Sequence, residues 1–125
     1  MISIAADRER RTSRLTALAD GTRAGIVELL AERPHTATEI HRAFPIAAPA
    51  VSRHLRVLRE AGLVEERRPA HDRRVRVYTL ETEPMQDLAG WLDATSRTWQ
   101  RQLDSFRDHV TLRAPVTAVT REEDR

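Results

Sequence analysis

Ser52, Arg53 and Arg56 are the residues of this 125-residue chain whose types and spacing point most directly to chemistry. At ~100° per residue they share one helix stripe with Pro49, while Val51, Leu55 and Leu58 share the roughly opposite one. The apolar stripe is candidate core. The other carries two guanidinium groups and a hydroxyl. Arginine can donate two hydrogen bonds to guanine O6 and N7, and serine can bond a base edge or a phosphate. Positive charge near a helix start also faces phosphate, where backbone N–H groups help. An ordinary exposed polar face would have the same spacing, so the surrounding elements must decide.

Charge distribution favours the nucleic-acid reading. Between Ser52 and Leu80 lie eight arginines (Arg53, Arg56, Arg59, Arg67, Arg68, Arg73, Arg74 and Arg76) against four acids (Glu60, Glu65, Glu66 and Asp72). That is a local +4 in a chain whose formal net charge is +2. Concentrated positive charge on a balanced chain is the footprint of a polyanion partner. All 21 basic residues are arginine, and the absence of lysine is most plainly a compositional bias.

The positioning elements follow from caps and periodicity. Residues 8–19 are helix-like, with Leu15 and Leu18 on one side. Asp20 is placed to cap a second helix from Thr22 to about Arg33, which Pro34 ends. Thr36-Ala-Thr-Glu39 has the form of a capping box for a short third helix burying Ile40 and Phe44. After Pro45, Pro49 suits the first turn of a fourth helix running to Ala61. Gly62 is placed as its left-handed C-terminal cap, with Leu63 in reach of Leu58. Val64–Arg68 and Val75–Leu80 read as two strands joined by a Pro69–Arg74 loop. Pro84 opens a long last helix to about Val110.

The fold class is therefore mainly α with a small β-hairpin. Helices three and four form a helix-turn-helix, and the hairpin makes a wing. Residues 1–110 read as one winged helix-turn-helix domain, and 111–125 as a mobile C-terminal tail. In this setting Arg73 and Arg74, at the wing tip, can reach phosphate or an adjacent minor groove. Thr36 and Thr38 are further candidate phosphate contacts, although Thr36 suits a cap better. Arg67 and Arg68 alternate along a strand, so only one can face the DNA side. His54 sits off the groove-facing stripe, which suits packing.

Along the last helix, Met85, Leu88, Leu92, Thr95, Trp99, Gln102 or Leu103, Phe106 and Val110 recur at three- and four-residue steps. A domain of this size cannot bury so long a stripe alone. Pairing with a second copy would do so and impose two-fold symmetry. Trp91 and Trp99 could instead line a ligand pocket, but at helical spacing they suit an interface better.

Three stretches carry a family resemblance: ALADGTRAGIVELLAE from Ala17, PAVSRHLRVLREAGLVEERR from Pro49, and RRVRVYTL from Arg73. Over roughly residues 12–110 the chain resembles the ArsR/SmtB family of winged-helix transcriptional repressors. The resemblance implies that the fourth helix reads the major groove through Ala48, Pro49, Ser52 and Arg53. It implies a homodimer built from the first and last helices, with Leu15, Leu18, Leu88, Leu92, Trp99, Leu103 and Phe106 as interface candidates. Three departures matter. Ala47 stands where the family usually has Ser or Thr, Ala48 where Gln or Arg is frequent, and the wing tip has no Gly. Readout should shift toward Ser52, Arg53 and Arg56.

Many relatives bind metals through cysteines, and this chain has none. Others use His and carboxylate ligands on the last helix. Here that helix offers Asp87, Asp93, Asp104, Asp108 and a single histidine, His109. A site with two imidazoles per interface half cannot be built from it. No metal and no cofactor is expected, and the inducer, if one exists, is an unidentified small molecule.

Zero cysteines also removes disulfides and thiol nucleophiles. No apolar run approaches the ~18–20 residues of a membrane span, and MISIAADRERR lacks a signal-peptide core. A cytoplasmic location with no membrane partner is expected. No Ser/His/Asp order, glycine-rich phosphate loop or paired carboxylates suggest an enzyme. A winged helix used for protein–protein contact would present an apolar or acidic fourth helix, against which Arg53, Arg56 and Arg59 argue. The expectation is a sequence-specific homodimeric repressor. It would block a promoter on a pseudo-palindromic double-stranded DNA operator, its recognition helices ~34–36 Å apart.

Overall fold

Asp20 caps the second helix. Its carboxylate accepts from the Arg23 N–H at 3.0 Å, so the chain turns between α1 (Ile4–Leu18) and α2 (Gly21–Glu32). The same logic repeats at Thr36. Its hydroxyl accepts from the Glu39 N–H and the Glu39 carboxylate accepts from the Thr36 N–H, at 3.2 and 2.9 Å. This capping box starts α3 (Ala37–Ala43). The elements that follow are α4 (Ala48–Glu60), two wing strands Val64–Arg67 and Val77–Leu80, and α5 (Thr82–Arg113). The computed structural model describes residues 4–113, with side chains to Val110. Of the expected C-terminal tail, 111–113 continue α5 and the rest lies outside the described residues.

One strand escaped the sequence analysis. His35–Thr36 is β1, which makes the wing strands β2 and β3 of a three-stranded antiparallel sheet in the order β1-β3-β2. His35 pairs with Tyr78 and Thr36 with Val77, while β2 pairs from Val64↔Leu80 to Arg67↔Val77. Both wing strands are shorter than expected, because Arg68, Val75 and Arg76 fall outside the ladder. The wing turn needs no glycine. The Asp72 N–H donates to Pro69 O and the Val75 N–H to Asp72 O, both at 3.2 Å. Two consecutive turns form, and Gly62 alone among the described residues has a positive φ.

The chain divides after Leu88 into two units. In the first, the core is Ile26, Val27 and Leu30 of α2, Ile40 of α3, Val51, Leu55 and Leu58 of α4, Leu63, Val64 and Tyr78 of the wing, and Leu88. Leu15 and Leu18 are half-buried against it. Leu88 is 4 % exposed. It is core within its own chain, which corrects its expected place in a dimer interface. Sequence periodicity reported an apolar position but not which surface covers it.

In the second unit, residues 89–113 continue α5. Leu92, Trp99 and Phe106, seven residues apart, are 50 %, 61 % and 64 % exposed. Val110 is also exposed, and Leu103 is half-buried. No helix among the described residues is long and apolar enough to cross a membrane.

Candidate nucleic-acid interface

The interface begins with how α4 is set. Pro49 lies in its first turn, and Ala47 caps it without a side-chain hydrogen bond. At the other end, the Gly62 N–H donates to Arg59 O at 2.9 Å and the Leu63 N–H to Leu58 O at 3.0 Å. With φ of +78° at Gly62, this is a Schellman cap, and both Leu58 and Leu63 are buried. Val51, Leu55 and Leu58 bind α4 to the core. Ala48, Pro49, Ser52, Arg53 and Arg56 are all exposed.

The arginines of this region divide into two groups. Arg59 donates to Glu66 of β2 at 2.7 Å, and Arg68 lies 3.4 Å from the same carboxylate. Arg74 pairs with Asp72 at 3.1 Å, and its guanidinium holds the Asp72 carboxyl below its ordinary pKa. Arg53, Arg56, Arg67 and Arg73 have no acidic partner among the described residues. An exposed guanidinium with no carboxylate beside it leaves its donors to water or to a phosphate or base. The local +4 therefore concentrates its unpaired part on the outer face of α4 and on the wing.

Thr36 and Thr38 are drawn to the wing base by β1. The Ala37 N–H donates to Arg76 O at 2.9 Å. Thr36 and Thr38 line one open cleft with Arg74, Val75 and Arg76. Thr36 is half-buried and occupied as the cap, whereas Thr38 is exposed. Arg76 at this cleft was not singled out from the sequence. A two-residue strand has no periodicity to reveal it.

A second missed feature orients the recognition helix. The Arg23 Nε donates to Ala17 O at 2.7 Å, at the end of α1. Its Nη1 lies 3.2 Å from His54 Nδ1 on α4. Guanidinium only donates, so Nδ1 is the acceptor in this contact. Asp20 Oδ2 lies 3.8 Å from the same nitrogen. The Arg23 N–H, donating to the Asp20 carboxylate, is the main cause of that group's lowered pKa. Thus the α1–α2 junction is tied to α4 one residue from Arg53. The packing role expected for His54 is filled by a polar contact. At Gly25 of α2 a Cβ would stand 2.9 Å from the Phe44 ring at the end of α3, so a larger residue there would push the ring aside.

Comparison with known proteins agrees with this geometry. A helix-turn-helix domain model matches residues 18–67. The HTH-type transcriptional regulator Rv2034 of Mycobacterium tuberculosis is 47% identical over 90 residues, 72% of this chain and 78% of that protein. The transcriptional repressor SdpR of Bacillus subtilis is 33% identical over 76 residues, 61% of this chain and 81% of that one. The crystal structure of an ArsR family transcriptional regulator superposes with a TM-score of 0.65 at 28% identity, covering 74% of this chain and 93% of the other. A buried α4 stripe, a free arginine face beside a wing, and these relatives lead to one assignment: the chain is a DNA-binding transcriptional regulator and belongs to the ArsR/SmtB family of winged-helix proteins.

Proposed function

We propose that the chain acts as a homodimeric repressor, placing α4 of each copy in the major groove of a pseudo-palindromic operator. The observation that carries this reading is the pair Arg53 and Arg56, exposed and without an acidic partner among the described residues, on the face of α4 opposite its buried stripe. Arg53 reads a guanine through two hydrogen bonds, Ser52 and Arg56 bond neighbouring edges or phosphates, and Ala48 and Pro49 pack at the helix start. Arg73 and Arg74 of the wing, with Thr38 and Arg76 at its base, hold flanking phosphates. Thr36 contributes by capping α3.

The second copy covers Leu92, Trp99, Leu103 and Phe106, and the outer sides of Leu15 and Leu18 on α1 add to the contact. The exposure of Trp99 on the same stripe supports an interface residue over a pocket wall. The protein works in the cytoplasm by occupying a promoter and performs no catalysis. Selection of bound duplexes from a random pool tests the reading. The expected product is a two-fold site whose halves lie about one helical turn apart. Recovery of no preferred sequence, or of a single unrepeated half, would overturn it.

A further inference from the structure

The start of α4 presents an apolar edge where polar base-reading groups would be useful. Ile46 is 40 % exposed, and Ala47, Ala48 and Pro49 are exposed as well. Four consecutive residues at the leading end of the exposed face thus carry no side-chain hydrogen-bonding group. The edge is held in place. The Ile46 N–H donates to Phe44 O at 2.8 Å, and the N–H groups of Ala50 and Val51 both donate to Ala47 O, at 2.9 and 3.2 Å. Helical spacing puts Ala48 one turn before Ser52 and Pro49 one turn before Arg53. The apolar edge is therefore continuous with the cationic face, and whatever meets Arg53 also meets Ala48 and Pro49.

A major groove offers one apolar feature, the C5 methyl group of thymine. Small side chains such as alanine fit against it, and a polar base edge facing them would lose its water without gaining a bond. We infer that Ile46, Ala48 and Pro49 form a thymine-methyl subsite, so that each half-site places thymine beside the base pair read by Arg53. This inference rests on the major-groove placement of α4 proposed above. The partner is fixed by charge complementarity: Arg53 and Arg56 border the edge and call for a polyanion, which a protein partner for an apolar patch need not be.

The test uses the full chain and the site recovered by selection from a random pool. That site is resynthesised with deoxyuridine in place of each thymidine in turn. Uracil keeps every hydrogen-bonding group of thymine and lacks only the methyl. Affinity should fall about fourfold at one or two positions per half-site, the effect of one buried methyl. A variant carrying Ile46→Asn and Ala48→Ser, both at exposed positions, should lose most of the preference for thymine over uracil and keep its circular dichroism. Equal affinity of the unmodified chain for thymine and uracil at every position overturns the subsite and leaves α4 in the groove. Retention of full thymine preference by the double variant also overturns it. Recovery of no preferred sequence overturns the groove placement itself, and the subsite with it.

Discussion

α4 and the C-terminal part of α5 are both helices with an apolar stripe, and they meet opposite fates within one chain. In α4, Val51, Leu55 and Leu58 are buried, with no more than 2 % of any of them exposed. Its polar face is the one left free. In α5, Leu92, Trp99 and Phe106 are at least half exposed, and the apolar stripe itself is left free. Burying large apolar side chains stabilises by about 1.5–3 kcal/mol each. α4 gains that from its own chain and can commit its outer face to a ligand. In α5 nothing among the described residues supplies it. The difference teaches that periodicity reports a surface to be covered, not the molecule that covers it.

The sharpest way to break this contrast is in the α4 stripe. Leu58→Ala should cost about 2–5 kcal/mol of unfolding free energy, measured by urea denaturation. A loss well below 1 kcal/mol would mean that the stripe is not anchored as described. Trp99→Glu addresses the other stripe. Association should weaken by 2 kcal/mol or more, giving monomers in sedimentation at concentrations where the unmodified chain is dimeric. A persistent dimer would move the interface off α5.

Arg53→Ala acts on the free face of α4. It should weaken specific binding by about 1–3 kcal/mol and relax preference at one base pair, as read by affinity across single-base operator variants. Unchanged specificity would remove Arg53 from base readout. Arg74→Ala should be milder, lowering the slope of log affinity against log salt by about one for all sequences. An unaltered slope would mean that Arg74 stays with Asp72 and meets no phosphate. The smallest effect concerns pH. Asp20 and Glu39 have lowered pKa values, chiefly because the Arg23 and Thr36 N–H groups donate to them. Their contribution is fully present above the ordinary carboxylate range near ~4 and is lost as pH falls through the lowered values. Melting temperature should therefore hold steady down to about pH 4 and drop below it. Asp20→Asn, which caps without titrating, should flatten part of that drop; an identical profile would mean that Asp20 contributes nothing.

Much of the scaffold was legible because its signals are local. Asp20, the Thr36–Glu39 box, Pro49 and Gly62 each act on backbone groups within a few residues, so their identities announce the helix ends. The face assignments in α4 follow from 100° geometry alone. β1 was hidden because two residues have no period and their partners, Tyr78 and Val77, lie some 40 positions away. Leu88 was misassigned because it shares a stripe with Leu92, yet only Leu88 lies against the core.

The sequence by itself determined the caps, the apolar stripes, the concentration of arginine between Ser52 and Leu80, and the absence of any thiolate metal site. Those depend on residue type and short-range spacing. Only the tertiary structure decided which arginines remain available. Glu66 occupies Arg59 and Arg68, and Arg23 is spent on Ala17 and His54, whereas Arg74, though paired with Asp72, keeps its side chain 92 % exposed. The reason is physical: a charge-assisted hydrogen bond needs its partners within about 3 Å, and for Arg59 with Glu66 and Arg23 with His54 folding across elements sets that distance.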